Sequence, residues 1–294
     1  MSLALKPIIL FLVLCALNPF PSVESAIPSF IRTLQNLRGI HRGQNAEGVG
    51  TLRSYLKNLG YQVNDKSSSD NNFDANDESA LKQYQAFHGL QTSGVVDDQT
   101  IETMSLPRCG LPDITATPNP NPNGLSSSPP QNFTFFPGNP KWSKFNLTYR
   151  TTRMPLFVSV GTNAFKQALS NAFNAWGENN SFTFTETTGQ ADIVVGFHRG
   201  FHFDFYPFDG PGGVLAHAFA PEDGRNHLDA DENWSTTGTP PTIDLETVSL
   251  HEIGHNMGLA HSNDPNAVMA PTYTGVRRDL TQDDKDGLNN LYGF

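Results

Sequence analysis

The sequence predicts a small all-helical domain followed by an α+β domain. Between residues 27 and 114, apolar side chains recur at the spacing of amphipathic helices. From residue 132 to 294, segments that alternate apolar and polar residues, as half-buried strands do, are mixed with a few long helical patterns. Residues 115–131 are rich in proline, asparagine and serine and are predicted to be a linker without a core of its own.

The N-terminus has the pattern of a cleaved signal peptide. Residues 1–26 contain one lysine, an apolar run over residues 8–17 and the small residues Ser25 and Ala26 at a suitable cleavage point. The alternative, a membrane anchor, is disfavoured because this run is too short to cross a bilayer. We therefore expect a secreted protein of the apoplast or extracellular matrix.

The formal net charge of −10 bears on the partners of the chain. An acidic protein repels polyanions, so we expect no nucleic-acid partner, and its carboxylates are compatible with bound cations. The length of 294 residues allows one to three domains with a sizeable core.

Three short helices are predicted in the N-terminal domain, and the polar residues 64–76 between the first two are expected to form a mobile loop. The residues that keep helical spacing are Val49, Leu52, Tyr55, Leu56 and Leu59, then Leu81, Tyr84 and Phe87, then Thr100, Ile101 and Met104.

A single cysteine, Cys109, would remain after the signal peptide and its Cys15 are removed, so no intramolecular disulfide is possible. Such a cysteine is a dimerising group, a reactive thiol or a metal ligand. Residues 107–113 place two prolines and a glycine around it, which would present a thiolate rigidly enough to fill an open zinc position. The alternative is a free buried cysteine in a turn.

The C-terminal domain is predicted to open with a half-buried strand, followed by an amphipathic helix and two further strands. The residues that define these elements are Phe145, Leu147 and Tyr149, then Phe165, Leu169, Ala172, Phe173 and Trp176, then Phe182 and Phe184, then residues 191–197.

A histidine-rich segment follows, over residues 198–234. His202, Asp204, His217 and His227 offer three imidazoles and one carboxylate, a closed set for which spacing alone makes a structural zinc plausible. Hard oxygen ligands for Ca²⁺ are also available in this segment, with backbone carbonyls between them. They are Asp209, Gly210, Asp229 and Glu232.

The segment LHEIGHNMGLAHSNDPNAVM, residues 250–269, can make a catalytic zinc site almost unaided. His251 and His255 are four residues apart and share a helix face, and Gly258 allows a turn that brings His261 back as a third ligand. Three histidines leave one coordination position open for water, as in catalytic zinc sites. Glu252 lies close enough to act as the general base. Asp244 is the predicted N-cap of this helix.

This segment resembles the matrixins, the matrix metalloproteinases among the metzincins. The pattern HExxHxxGxxH is followed by a methionine turn at residues 267–271, and Ser262 and residues 271–273 also fit. The resemblance implies a zincin-like catalytic domain with a mixed twisted sheet and three helices, in which Met269 has a structural role. It further implies a zinc endopeptidase that cleaves extracellular proteins or peptides.

The N-terminal domain carries the same resemblance. Its YLxxLGY, YQ and GVVDDQT elements resemble the peptidoglycan-binding-like propeptide of matrixins, and residues 107–113 resemble their cysteine switch. The resemblance implies a zymogen in which Cys109 binds the catalytic zinc until an activating protease cuts near Asn132 or Phe133. Asp283 or Asp284 would then receive the new N-terminus. Taken alone, this domain could instead bind carbohydrate.

The resemblance also assigns the remaining ligands and the substrate pocket. It implies that His202, Asp204, His217 and His227 hold a second, structural zinc, and that Asp209, Gly210, Asp229 and Glu232 bind at least one Ca²⁺. Thr247 would lie near the floor of the pocket, with Pro271 and Tyr273 in its outer wall. The small Thr247 side chain suggests a deep pocket for a large apolar residue.

The sequence departs from the family at four positions. Leu111 replaces a more usual valine, Phe201 an aspartate, Arg225 a carboxylate ligand of a second calcium, and Asn256 an apolar residue. Arg225 beside Asp192 leads to the hypothesis that a guanidinium substitutes for that second calcium, since it repels a cation.

The sequence therefore predicts a secreted, monomeric zinc endopeptidase with two zinc ions, an activating protease as partner and no membrane anchor. Four N-glycosylation sequons, at Asn132, Asn146, Asn179 and Asn233, agree with secretion. The chain ends without a hemopexin-like repeat or a lipid-anchor signal. The alternative function is a catalytically silent extracellular binding or signalling protein on the same fold.

Overall fold

The computed structural model describes residues 29–64, 66, 69–115, 131–152, 154–155, 158–178 and 180–294. The predicted signal peptide, most of the predicted linker and the sequon at Asn179 lie outside these residues. No helix among the described residues is long and apolar enough to cross a membrane.

The N-terminal part contains four helices, and the three predicted helices are confirmed. The helices are α1 Ser29–Asn36, α2 Val49–Asn58, α3 Ala75–Phe87 and α4 Asp98–Met104. Helix α3 begins in a capping box, in which the Asp74 carboxylate accepts from the amides of Asn76 and Asp77 and the Asp77 carboxylate accepts from the Asp74 amide. The polar stretch thus ends in a helix cap. Helix α1 was not predicted, and it is held by Leu34, which is fully buried in the helical core.

The C-terminal part is a mixed sheet packed against helices, as predicted. The elements that follow α4 are β1 Arg108–Cys109, β2 Asn146–Thr151, α5 Thr162–Gly177, β3 Thr183–Glu186, β4 Ile193–His198, β5 Val214–Ala218, β6 Arg225–Asp229, β7 Trp234–Ser235, β8 Ile243–Asp244, α6 Leu245–Asn256 and α7 Gln282–Tyr292. The three helices expected in this domain are α5, α6 and α7.

The sheet has the strand order β1-β5-β6-β4-β2-β3, and β7 and β8 form a separate two-stranded pair. Only the β5–β6 pairing in the six-stranded sheet is antiparallel. Strand β1 lies within residues 107–113, called the switch segment below because they resemble a cysteine switch. This segment supplies one edge of the six-stranded sheet.

Helices α5 and α6 pack on each other beneath the site. The Trp176 side chain of α5 is fully buried, and its indole N–H donates to the Leu250 carbonyl of α6 over 2.8 Å. A buried Trp must place its N–H on an acceptor. This contact therefore fixes α6 at the position from which its histidines project.

Candidate active site

Helix α6 begins where the sequence predicted. The Asp244 carboxylate accepts from the Thr247 amide over 2.9 Å and so caps the helix. Arg278 pairs with the same carboxylate at 2.6 Å, which holds the cap ionised in a buried setting. The first turn of α6 is therefore fixed by Arg278, from outside the helix, as well as by its own N-cap.

The structure brings His251, His255, His261 and Cys109 together. One ligand atom from each lies within 4.8 Å of the others, and all four residues are buried. His251 Nε2 and His255 Nε2 are 3.0 Å apart, and Cys109 Sγ is 3.5 Å from His255 Nε2.

The hydrogen bonds of the three Nδ1 atoms determine which ring nitrogens can bind a metal. The Nδ1 atoms of His251, His255 and His261 lie 2.7 Å from Val268 O, 2.8 Å from Leu259 O and 3.0 Å from Pro112 O. A carbonyl only accepts, so each Nδ1 carries the proton and each Nε2 presents a lone pair. Burial lowers the pKa of His251 to about 4, which keeps this ring neutral. Lone pairs that face one another at 3.0 Å repel unless a cation lies between them.

Glu252 lies beside this cluster and next to Cys109. It is fully buried, and among the described residues neither of its carboxylate oxygens makes a hydrogen bond of normal geometry. Burial raises the pKa of Glu252 to about 8, and burial together with Glu252 raises the pKa of the Cys109 thiol. Because both pKa values are raised, the thiolate and the carboxylate are favoured here only when a bound cation compensates their charges.

The chain turns at Gly258, as predicted. Its φ of 101° is in the left-handed region, and a Cβ there would lie 2.4 Å from the Pro140 carbonyl oxygen. The turn returns His261 to the rings of α6. Met269 packs close beneath the helix, because a Cβ at Gly254 would lie 2.2 Å from its Sδ.

The switch segment lies in the cleft as an extended strand. Arg108 N and Gly110 N donate to the Gly213 and Ala216 carbonyls, each over 2.8 Å. On the other side, Cys109 N donates to Pro271 O over 2.9 Å. These bonds use the polar edges of β5 and of residues 271–273, the two edges that a peptide substrate would need.

A buried ion pair fixes the shape of this segment. Arg108 pairs with Asp113, and both side chains are almost completely buried. Asp113 also accepts from the Tyr61 hydroxyl over 2.9 Å and lies 3.3 Å from His88 Nε2. The helical domain therefore holds both ends of the turn that presents Cys109.

Thr247, Pro271 and Tyr273, the predicted pocket residues, line one cavity next to His251 and Glu252. Its other lining residues include Leu215, Val248, Val268 and Arg277. Sequence reasoning missed Arg277, since no motif or spacing singles it out.

The second predicted cluster is also brought together. Asp204 Oδ2 lies 2.9 Å from His202 Nε2, 2.7 Å from His217 Nε2 and 2.7 Å from His227 Nδ1. Burial lowers the pKa of His217 to about 4 and of His227 to about 3, so these rings are neutral. Neutral imidazoles around one carboxylate form the donor set of a closed zinc site.

The proposed calcium residues surround one loop. Asp209 accepts from Val214 N over 2.9 Å, and Glu232 accepts from Gly212 N over 2.7 Å. Burial raises the pKa of Glu232 to about 7 and that of Asp229 to about 6, and the neighbouring carboxylates add to both shifts. Asp229 Oδ2 has no hydrogen-bond partner, and Gly210 adopts φ 87°. Carboxylates that are buried and repel one another provide a site that favours a cation.

The four departures from the family have different settings. Leu111 is buried, and Phe201 is 62% exposed. Arg225 pairs with Asp223 at 2.7 Å, whereas Asp192 pairs with Lys144, also at 2.7 Å. The cation beside Asp192 is thus the Lys144 ammonium, and the hypothesis that assigned this place to Arg225 is corrected.

Asn256, the fourth departure, is fully buried and hydrogen-bonded. Its side-chain amide donates to the carbonyls of Phe219 and Arg225 over 3.0 and 3.1 Å and accepts from Asn226 over 3.0 Å. It therefore connects α6 to strand β6 and to Phe219, which directly follows β5.

The two acidic candidates for the new N-terminus are separated by the structure. Asp283 Oδ1 accepts from Asn132 N over 3.2 Å and from Phe133 N over 3.1 Å. Asp284 instead accepts from Val268 N and Met269 N, each over 3.0 Å. Asp283 is the residue placed to meet an N-terminus at Asn132 or Phe133, and Asp284 supports the methionine turn.

Comparison with known proteins agrees with this geometry. Residues 141–293 match the family described as Matrixin, and residues 45–104 match a putative peptidoglycan binding domain. The chain is 41% identical to Metalloendoproteinase 1 of Glycine max, over 86% of this chain and 85% of that protein. It is 36% identical to Metalloendoproteinase 2-MMP of Arabidopsis thaliana, over 93% and 78% of the two chains, and 38% identical to human Matrilysin, over 85% and 89%. This chain therefore belongs to the matrixin family of zinc metalloendopeptidases.

Proposed function

We propose that the chain is made as a zymogen in which Cys109 closes the catalytic zinc site. The observation that carries this proposal is the convergence of Cys109 with His251, His255 and His261, all four ligand atoms lying within 4.8 Å of one another. Three neutral imidazoles and one thiolate make a complete tetrahedral donor set. Removal of the switch segment opens one of the four positions and frees the edges of β5 and of residues 271–273.

The donor set fits zinc, because the lone pairs of His251 and His255 point at each other and His261 Nε2 has no hydrogen-bond partner. A bound zinc ion supplies Lewis acidity and lowers the pKa of water to about 7.

Glu252 is the proposed catalytic base. Its buried carboxylate takes the proton from the attacking water and later delivers it to the leaving amine. The freed edge of β5 pairs with the substrate backbone, which holds the scissile bond beside Glu252.

The other ligand sets have structural roles in this proposal. His202, Asp204, His217 and His227 hold a second zinc with no open position, and Asp209, Gly210, Asp229 and Glu232 hold Ca²⁺. Both sets flank β5, since the segment between β4 and β5 carries His202, Asp204 and Asp209. Bound ions would therefore stiffen the strand that pairs with substrate.

The domain limits follow from the same proposal. Residues 1–26 form the signal peptide, 27–114 the propeptide, 115–131 the linker and 132–294 the catalytic domain. The protein is secreted, acts as a monomer on extracellular proteins or peptides, and is activated by a protease that cuts before Asn132 or Phe133. Asp283 then pairs with the new ammonium.

The second candidate function is a silent binding protein on the same fold. Asn256 was the residue that favoured it, but its side-chain amide bonds to β6 and to Phe219 in the turn between β5 and β6. The intact Glu252 and three histidines support turnover instead.

The test is cleavage of a quenched collagen-like peptide by the full chain after limited proteolysis. We expect cleavage that is lost with a chelator and falls at least about a hundredfold in Glu252→Ala, because general base catalysis contributes about 10² to 10⁴. The zinc content of Glu252→Ala should be unchanged. A folded, zinc-loaded protein that cuts nothing in a broad peptide library would favour the binding protein.

A further inference from the structure

The pocket beside Glu252 combines apolar walls with one guanidinium. Leu215, Val248 and Val268 line it as buried apolar side chains, and Arg277 lines it as well.

Arg277 is held in place by neutral groups. Its backbone N–H donates to the Thr247 hydroxyl over 2.9 Å, and its Nη1 donates to the Ala267 carbonyl over 3.3 Å. Nη2 donates to the Thr274 hydroxyl. Within the described part of the chain, no carboxylate lies within 4.0 Å of this guanidinium. Asp284 and Asp264 act on its charge only from beyond that distance. The half-buried guanidinium, with its five N–H donors, therefore has no direct ion pair among the described residues.

Arg278, the next residue, has a carboxylate partner, unlike Arg277. It donates through Nε and Nη2 to the two oxygens of Asp244, over 3.1 and 2.6 Å. The Asp244 carboxylate therefore compensates the Arg278 charge directly. Arg277, which lines the pocket, is therefore the one of these two arginines that has no direct ion pair among the described residues.

We infer that Arg277 makes this pocket select glutamine or glutamate, long side chains that end in an oxygen acceptor, immediately after the cleaved bond. This inference rests on the proposed peptidase function. The apolar walls pack the methylene groups of such a side chain, and the guanidinium donates to its terminal oxygen. A leucine fills the walls but offers the guanidinium no further acceptor.

The size of the effect follows from the bond that is gained. A hydrogen bond to a charged group changes a binding equilibrium by roughly 10- to 100-fold. Methionine has nearly the length of glutamine and lacks the oxygen acceptor. The ratio of kcat/KM for a glutamine peptide to that for a methionine peptide therefore isolates the contribution of Arg277.

The experiment uses the zinc-loaded full chain after activation by limited proteolysis. Four peptides differ only in the residue after the cleaved bond, which is leucine, methionine, glutamine or glutamate. They are tested on the wild type, on Arg277→Met and on Lys285→Met, which removes an equal charge from the exposed face of α7. We expect the glutamine-to-methionine and glutamate-to-methionine ratios to fall at least about tenfold in Arg277→Met and to stay unchanged in Lys285→Met.

Equal ratios in the wild type and Arg277→Met would overturn the inference, as would an equal fall in Lys285→Met, which would indicate bulk charge. If Arg277→Met does not fold, Arg277→Lys decides, because it keeps the charge but loses the planar donor pair, and the glutamine ratio must still fall. Cleavage of all four peptides with unchanged ratios overturns this inference alone. Failure of the wild type to cut any of them overturns the peptidase function as well.

Discussion

Replacement of Asp113 by asparagine should loosen the closed form of the zymogen. The change keeps the shape of the side chain but removes the anion that pairs with buried Arg108 and accepts from Tyr61. Loss of one partner from a buried ion pair costs about 3–5 kcal/mol, because the other charge stays buried and unpaired. In the undocked segment both groups are hydrated, so the cost falls on the docked state.

The loss of stability of the docked segment can be measured through the reactivity of the Cys109 thiol. Its side chain is only 5% exposed in the closed form, so a bulky aromatic disulfide reagent reacts with it after the segment undocks. Each 1.4 kcal/mol changes the open fraction about tenfold, so Asp113→Asn should raise the rate of thiol modification by roughly a hundredfold or more. Autoactivation should accelerate in parallel.

A matched control is available in the same helical domain. Asp98 pairs with Arg38 at the surface, where the two side chains are 73% and 58% exposed. Exposed pairs contribute about 1 kcal/mol at most, so Asp98→Asn should change the thiol rate no more than about fivefold. A thiol rate in folded Asp113→Asn that equals that of Asp98→Asn would refute the view that the Arg108–Asp113 pair holds the switch closed.

Three further predictions concern the turn at Gly258, the pH dependence of the proposed calcium residues and the number of calcium ions. Gly258→Ala should lower the free energy of unfolding by about 2 kcal/mol or more, because φ 101° and the Pro140 carbonyl leave no room for a Cβ; an unchanged melting temperature would contradict this. Without calcium, the raised pKa values of Glu232 (about 7) and Asp229 (about 6) mean that the folded protein holds more protons than the unfolded chain above about pH 4. Stability should therefore fall as pH rises through about 4 to 7, and calcium should raise the melting temperature more at pH 8 than at pH 5. Metal analysis should find no second tightly held calcium, because Lys144 occupies the place beside Asp192.

Local spacing made much of the fold and site predictable from the sequence. His251 and His255 share a face in any α-helix, and Asp244 caps that helix through a bond to a residue three positions away. The strand around Leu147 and Tyr149 and the helix around Phe173 and Trp176 followed from periodicities of two and 3.6 residues.

Other elements could not be predicted from the sequence because their stability comes from packing against distant residues. Helix α1 has eight residues, too few to be stable alone, and depends on the burial of Leu34. The two-residue strands β1, β7 and β8 exist only through their partners.

The sequence by itself indicated the chemistry of this protein, since the proposed zinc ligands, general base and switch cysteine each stand in a short motif. Tertiary structure decided which charges meet. It paired Asp192 with Lys144 and gave Asp283 and Asp284 different backbone partners. It also placed Arg277 in the pocket without a direct carboxylate partner among the described residues. The physical reason is that motif chemistry depends on spacing within a few residues, whereas the pairing of charges depends on distances between segments that only the folded chain brings together.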